Sequence, residues 1–224
     1  MCRVALEGQT RRHRPSARPP YAERPLSAKP GDTRLEAQFA FLNEADRLKS
    51  VLRATTLCDG SRRENSGEHS WHLALYALVL ADQAAPGVDI SRVIKMLLVH
   101  DLVEIDVGDV PIHSADGKAH SSTSVQQAES RAADRIFGLL PADLRDDLRS
   151  IWDEFEAALT PDAIFAKSLD RVQPVMANLQ SGGGTWIEYN VTAEQLESRV
   201  GVKIAKGAPR LWDWVREKTQ VYFK

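Results

Sequence analysis

Apolar residues recur at helical spacing in one segment after another from Thr33 onward, and this pattern most constrains the fold. In the first segment Leu35, Phe39 and Leu42 lie three or four residues apart, which places them on one face of a helix. No segment shows the alternation of apolar and polar residues that is typical of a half-buried strand. The sequence therefore predicts an all-α fold, a helical bundle of about seven or eight helices.

Proline, glycine and capping residues divide this pattern into separate helices. The first helix is predicted to run from Thr33 to the Cys58-Asp59-Gly60 turn. Later helices are predicted over residues 68–84, 89–106, 125–140, 142–159, 162–179, 192–204 and from 209 onward. Pro174 has no N–H to donate, so a kink is expected where it lies inside the 162–179 helix.

The first 32 residues differ in composition from the rest of the chain. Seven Arg and Lys residues and five prolines stand there against three acidic residues, with almost no apolar periodicity. Such a segment cannot bury enough apolar surface to offset the entropy lost on ordering. We therefore expect a disordered, basic, Pro/Arg-rich extension over residues 1–32 and one domain over residues 33–224.

Net charge, hydropathy and cysteine content exclude several function classes. The formal net charge is -2, which gives no basic footprint for nucleic acid. No run approaches the roughly 20 apolar residues that a membrane-spanning helix needs. Cys2 and Cys58 are the only cysteines of the sequence, too few for a disulfide framework. These features predict a cytoplasmic protein without nucleic-acid or membrane partners.

Metal-competent side chains concentrate at the ends of two predicted helices. His69 begins one, while His100, Asp101 and Glu104 end the next, with Glu104 on the same helix face as the pair. Imidazole nitrogen and carboxylate oxygen together suit Mn, Fe, Co, Ni or Zn. Asp170 lies beside the Pro174 kink and could complete a ligand set. Alternatively, the kink could serve packing alone, with Arg171 paired to a neighbouring acid.

Other polar and aromatic residues have simpler interpretations. His72 is expected to be a buried, hydrogen-bonded helix histidine. His113 and His120 lie in a Ser-, Gly- and His-rich segment, which predicts a solvated surface loop. Trp186 follows three glycines and is interpreted as a plug at a helix junction, with closure over a nucleobase as the alternative.

The order of these motifs resembles a known superfamily. His69, then His100-Asp101, then Asp170 is similar to the arrangement in HD-domain metal-dependent phosphohydrolases. Two local strings, residues 64–70 and residues 100–104 followed by Gly108-Asp109, look like those of the 5'-deoxynucleotidase branch. The resemblance covers residues 34–222 approximately, and it implies the HD-domain helical bundle as the fold.

The resemblance also implies roles for individual residues. The ligands of one divalent transition metal ion would be His69, His100, Asp101 and Asp170. Glu104 would act as general acid or base, and Asp109 would orient water or the sugar. Arg53 falls where the family places an arginine that binds the 5'-phosphate.

The function implied by the resemblance is hydrolysis of (deoxy)nucleoside 5'-monophosphates to release phosphate, by a protein that forms a homodimer. Three alternatives remain open at this point. The first is deoxyribose versus ribose preference. The second is an HD hydrolase of another phosphoester, such as a nucleoside triphosphate or a cyclic nucleotide. The third is an HD module that binds metal or nucleotide without turnover.

Overall fold

The computed structural model describes residues 33–114 and 122–223, and the predicted extension over 1–32 lies outside this range. The described chain is predominantly helical, which confirms the predicted all-α fold. The helices are α1 (Thr33–Ala45), α2 (Ser66–Val79), α3 (Ile90–Val99), α4 (Glu104–Val107), α5 (Thr123–Phe137), α6 (Ala142–Ala157), α7 (Pro161–Gln180), α8 (Gly184–Glu188), α9 (Ala193–Leu196), α10 (Val202–Gly207) and α11 (Pro209–Tyr222). Short 3₁₀ segments cover Asp46–Ser50, Ala81–Gln83 and His100–Val103, and a π-turn covers Glu197–Gly201.

The prediction of one helix from Thr33 to Gly60 is wrong beyond Ala45. A β-hairpin replaces its second half, with β1 (Leu52–Thr56) antiparallel to β2 (Arg63–Asn65). The turn is closed by the Asp59 carboxylate, which accepts from the N–H of Ser61, and by Gly60 at a φ of 70°. The periodicity of apolar residues does not distinguish a short strand such as β1 from a helix. The partner strand β2 is too polar to be recognised as a strand from its sequence.

The core forms where α2, α3 and α7 meet. Their inward faces contribute the buried side chains of Leu73, Ala77, Val93, Met96, Leu97, Phe165, Leu169 and Val172. Burying one such large aliphatic or aromatic side chain stabilises the fold by about 1.5–3 kcal/mol. His69 lies on α2, Asp170 lies on α7, and His100 and Asp101 directly follow α3, so this core also fixes the position of the polar cluster described below.

Capping residues fix where these helices begin. The Asp89 carboxylate accepts from the N–H groups of Ser91 and Arg92 at the start of α3. The Thr160 hydroxyl accepts from the N–H of Ala163 at the start of α7, where Pro161 takes the first helical position. These caps lie where the sequence predicts them.

The helix α10 packs directly on α7. Gly207 makes this close approach possible, since a Cβ there would lie 2.7 Å from the carbonyl oxygen of Ile164. The Ser168 hydroxyl bonds to the carbonyl oxygen of Lys203 at 3.2 Å and ties the two helices together. In the described ranges, no helix combines the length and apolar character needed to cross a bilayer.

Candidate metal centre and active site

The first site residue, His69, is placed by the start of α2. Asn65 and Glu68 form a capping box there: the Asn65 side chain accepts from the N–H of Glu68, and the Glu68 carboxylate accepts from the N–H of Asn65. Glu68 also pairs with Arg62, at 2.7 Å. With the helix start fixed in this way, His69 lies one residue further on and points into the core, where it is fully buried.

His100 and Asp101 lie in a 3₁₀ turn, not in the continuous α-helix that the sequence predicts. The turn, His100–Val103, joins α3 to α4. In 3₁₀ geometry residues three apart eclipse one another, so Asp101 and Glu104 project to the same side. Trp152 holds this turn from the next layer, because its indole Nε1 donates to the carbonyl oxygen of His100 at 3.1 Å.

Asp170 on α7 completes the cluster that His69, His100 and Asp101 begin. Its Oδ1 lies 3.1 Å from Nε2 of His69 and 3.8 Å from Nε2 of His100. Asp101 Oδ1 lies 3.0 Å from the same His100 nitrogen. Donor atoms of His69, His100 and Asp101 all lie within 4.8 Å of one another. The structure thus brings all four predicted ligands together.

Hydrogen bonds on the far side of each imidazole fix which nitrogen faces this cluster. His69 Nδ1 lies 3.0 Å from Oε1 of Gln173, and His100 Nδ1 lies 2.9 Å from the carbonyl oxygen of Leu97. Both partners accept hydrogen bonds, so both rings carry a proton on Nδ1. Each Nε2 can then present its lone pair to the centre of the cluster, as a metal ligand must.

The cluster fits a divalent cation. His100 Nε2 is buried, and within the described residues no group forms a well-aligned hydrogen bond to it. Burial alone favours a neutral ring, yet the carboxylates of Asp101 and Asp170 raise the pKa of His100 to about 10. The site therefore takes up a proton at neutral pH when no other cation is present. A metal ion would supply the positive charge that this proton provides.

Arg53 lies among carboxylates. It is on strand β1, whereas the sequence predicts that it belongs to the first helix. Its guanidinium lies 2.9 Å from Asp101, 3.5 Å from Asp109 and 3.8 Å from Glu104. Glu64 lies 3.7 Å away on the other side. Although burial opposes charge, these carboxylates raise the pKa of Arg53 above its ordinary value, so the side chain stays charged.

Glu104 lies against the cluster, and its carboxyl group favours the protonated form. Burial raises its pKa to about 9, with the negative charges of Asp101 and Asp109 acting in the same direction and Arg53 opposing them. Ser66 donates to its Oε2 from the first turn of α2. A carboxyl group that keeps its proton at neutral pH can give it to a leaving oxygen.

Asp109 faces the same cavity from the segment after α4. Its Oδ2 accepts from the N–H of Ala54 at 3.2 Å, which joins this segment to β1. The predicted catalytic pair of Glu104 and Asp109 therefore lies beside the predicted ligands, with Arg53 between them. The role of each remains a prediction.

Two buried polar residues of this network carry no role in the sequence analysis. Gln173 accepts from His69 and donates from Nε2 to Glu64 at 2.9 Å, and Glu64 itself lies 3.4 Å from His69 Nδ1. Its spacing could have indicated a role for Gln173, because it follows Asp170 by three residues and must share the same helix face. Glu64 gave no comparable signal, because the β2 strand that directs it inward was not predicted.

The other three residues interpreted from the sequence, His72, His113 and Trp186, lie in different environments. His72 is half-buried and its Nδ1 lies 3.4 Å from Gln173, in keeping with a hydrogen-bonded helix histidine. His113 lies partly buried in the cavity wall, so the prediction of a solvated loop position is wrong for this residue; His120 lies outside the described residues. Trp186 is buried against Tyr222 and Phe223, as expected for a junction plug, and it also lines the cavity.

A cavity of about 350 Å³ opens beside the cluster, a volume in the range of small-molecule sites. Its lining includes His100 with the carboxylates of Asp101, Glu104, Asp109 and Asp170, the apolar side chains of Ile112, Pro174 and Val175, and basic side chains of α7 and α10 beside Glu129 and Glu156. The cavity therefore offers metal-competent, apolar and basic side chains to one ligand.

A helical bundle with two imidazoles and two carboxylates converging on one point defines a class of α-helical protein with a metal-competent centre. Residues 45–212 match a family model described as HD domain. The chain belongs to the HD-domain family. All four predicted ligands lie within the matched range.

Several named proteins are similar to this chain. A crystal structure of a predicted metal-dependent phosphohydrolase from Magnetospirillum magnetotacticum MS-1 is 43% identical, with a TM-score of 0.78, over 85% of this chain and 95% of that one. The human 5'-deoxynucleotidase HDDC2 is 30% identical over 137 residues, 61% of this chain and 64% of the relative. The Xenopus laevis protein of the same name is 30% identical over 162 residues, 72% of this chain and 71% of the relative.

Proposed function

We propose that this protein is a metal-dependent phosphohydrolase that releases phosphate from (deoxy)nucleoside 5'-monophosphates. The observation that carries the proposal is the convergence of two imidazole Nε2 atoms and two carboxylates at one buried point beside a cavity. The names of the relatives support phosphoester chemistry and point to deoxynucleotides within it.

His69, His100, Asp101 and Asp170 would hold one divalent transition metal ion, and Mn, Co, Fe, Ni and Zn all suit this ligand set. Such an ion, when bound, supplies charge for phosphoryl oxygens and lowers the pKa of a coordinated water. Gln173 and the Leu97 carbonyl keep both imidazoles in the tautomer that binding requires. Trp152 keeps the backbone of His100 in place.

Glu104 would donate a proton to the leaving 5'-oxygen of the nucleoside. Its burial beside Asp101 and Asp109 keeps that proton on the carboxyl group at neutral pH, and Ser66 fixes the direction of one carboxyl oxygen. Hydrolysis of the phosphomonoester then leaves the nucleoside alcohol and inorganic phosphate. No protein nucleophile is required, because phosphoryl transfer depends mainly on positioning and charge stabilisation.

Arg53 and Asp109 complete the proposed machinery. Arg53 is predicted to bind phosphate, and its observed contacts add a second task, which is to hold the Asp101, Glu104 and Asp109 carboxylates close together. Asp109 would orient water or the sugar from the cavity side. A homodimer in the cytoplasm stays a prediction that sedimentation and fractionation would test.

The decisive experiment couples metal analysis to a nucleotide panel. Purified protein should carry about one transition metal ion per chain and release inorganic phosphate from nucleoside monophosphates. Asp101→Ala should lose both properties, whereas Asp143→Asn, an exposed carboxylate paired with Arg34, should keep both. Full phosphate release by Asp101→Ala would overturn the proposal.

The panel also separates the alternative functions. Nucleoside triphosphates and cyclic nucleotides are included, with release of triphosphate and ring opening measured beside release of phosphate. Preference for either substrate would replace the monophosphate assignment while keeping the HD hydrolase. If the metal-loaded protein bound nucleotides and hydrolysed none of them, it would be a binding module.

A further inference from the structure

The carboxylate side of the cavity has no spare positive charge for a phosphate dianion. Five carboxyl groups surround Arg53 and the two imidazoles: Glu64, Asp101, Glu104, Asp109 and Asp170. Arg53 and a divalent ion together supply three positive charges, and Glu104 is neutral only while it keeps its proton. The phosphate of a bound nucleotide would need positive charge from another direction.

The helices α7 and α10 contribute basic side chains to the cavity lining. Lys167 and Arg171 project from α7, and Lys203 and Lys206 from α10. Lys167 already pairs with Glu156 at 2.9 Å and lies over the Phe155 ring. The charge of Lys167 is therefore largely matched by these neighbours.

Arg171 is poorly matched. Its side chain is only 12% exposed, and its Nε is buried without a hydrogen-bond partner among the residues the structure describes. The ion pair from this nitrogen to Oδ2 of Asp170 is 3.9 Å long, near the limit for such a contact. The other oxygen of Asp170 faces His69. Arg171 thus approaches one oxygen of Asp170 while His69 contacts the other.

Neighbouring groups respond to the charge of Arg171. The positive charge of Arg171 lowers the pKa of Lys203, and burial adds to the effect. Burial lowers the pKa of His113 to about 4, with Arg199 and Arg171 acting in the same direction. Both residues line the cavity, and the carboxylates of Asp170 and Glu156 offset the effect on Lys203 only in part, since its pKa stays below the ordinary value. Like charges held together in this way destabilise the fold unless an anion occupies the space between them.

We propose that Arg171 and Lys203 form the main phosphate-binding wall of the cavity and bind the phosphoryl oxygens that face away from the His/Asp cluster. This inference rests on the proposed function, because it places the phosphate of the substrate between the metal centre and α10. The guanidinium of Arg171 offers paired hydrogen-bond donors to phosphate oxygens. The ammonium group of the exposed Lys203 adds a flexible point charge. Arg53 then serves mainly to organise carboxylates.

The test measures binding of inorganic phosphate, which does not depend on turnover. Phosphate is titrated by calorimetry into Co²⁺-loaded wild type, Arg171→Gln, Lys203→Gln and the double variant. The matched control is Arg210→Gln, which removes an exposed positive charge on α11 that does not line the cavity. Cobalt content is measured for every sample, and KM and kcat for the preferred nucleotide are recorded separately.

Phosphate affinity should fall roughly tenfold in each single variant, and further in the double variant, as expected for loss of a charge-assisted hydrogen bond. Cobalt content should stay unchanged, KM should rise more than kcat falls, and the control should match wild type. If Arg171→Gln loses its metal or does not fold, Lys203→Gln decides, since this exposed residue contacts no proposed ligand.

Two results would overturn the inference: wild type that binds no phosphate, or metal-loaded variants that bind it within twofold of wild type. The outcome is separable from that of the proposed function. If wild type hydrolysed no nucleotide while phosphate binding still depended on Arg171 and Lys203, the proposed reaction would fail and the phosphate-binding wall would stand.

Discussion

The Nε2 atom of His69 lies 3.1 Å from Oδ1 of Asp170, across 101 residues of sequence. Gln173 donates from its Nε2 to Glu64, so its Oε1 must face His69 and accept the proton on Nδ1. In that tautomer His69 directs a lone pair at a carboxylate oxygen. Two acceptors at this distance repel each other unless a proton or another cation lies between them, so this contact requires a positive charge that a metal ion could supply.

Replacing Asp170 should therefore release the metal. We expect Asp170→Asn to lower affinity for the ion by roughly a hundredfold or more, because it removes a ligand whereas loss of a supporting residue alone costs 10–100-fold. Competition with a chelator, read by metal analysis, measures the effect. Asp143→Asn is the charge-matched control, since Asp143 is exposed and remote from the cluster. Unchanged affinity in Asp170→Asn would remove this residue from the ligand set.

The Gln173 side chain gives a sharper test, because it is not itself a proposed ligand. Gln173→Leu should lower metal affinity about 10–100-fold, since His69 would lose the acceptor that fixes its tautomer. The circular dichroism spectrum should remain that of a helical protein. Gln180→Leu at the exposed end of the same helix should bind metal as wild type does. Equal affinities in the two variants would contradict a supporting role for Gln173.

Part of this centre could be predicted from the sequence because helix geometry converts spacing into position. The pair His100-Asp101 and Glu104 lie close together whether the segment is α-helical or 3₁₀, so the difference between prediction and structure leaves their grouping intact. Asp170 needed the resemblance, since nothing local indicates which distant carboxylate completes a cluster.

The placements that the sequence did not indicate depend on tertiary contacts. Arg53 lies on β1 because that segment pairs with Arg63–Asn65, a short and polar strand without a recognisable pattern. The same strand turns Glu64 inward. Arg171 was interpreted as a possible partner of a neighbouring acid, and only the 3.9 Å separation and the packing of α10 reveal its poorly matched charge.

Metal binding should release protons. The carboxylates of Asp101 and Asp170 raise the pKa of His100 to about 10 against the effect of burial, so the metal-free ring is protonated at pH 7. An ion that takes the Nε2 position displaces that proton. We expect release of at least about one proton per ion at pH 7, and metal affinity that falls as pH is lowered. Calorimetry in buffers of different ionisation enthalpy measures the number, and a value of zero would contradict this picture.

Glu104→Gln separates catalysis from metal binding. The variant keeps the shape of the side chain and its contact with Ser66 but has no proton to transfer. We expect metal content like that of wild type and kcat lower by about 10²–10⁴-fold, the range for loss of a general acid. Asp101→Ala, by contrast, should lose metal and activity together. Substantial turnover by Glu104→Gln would assign the proton transfer to another group.

The same substitution should change the pH dependence of stability in metal-free protein. Burial and the charges of Asp101 and Asp109 raise the pKa of Glu104 from its ordinary 4.5 to about 9, so between these values the folded state binds a proton that the unfolded state has released. Its contribution to the free energy of unfolding is therefore present below about pH 4.5 and declines as pH rises toward 9. Glu104→Gln lacks this group, so its stability relative to wild type should increase from pH 5 to pH 8. Urea unfolding of both proteins across that range measures the difference. A gap that stays constant would show that Glu104 is ionised in the folded protein and cannot donate the proton.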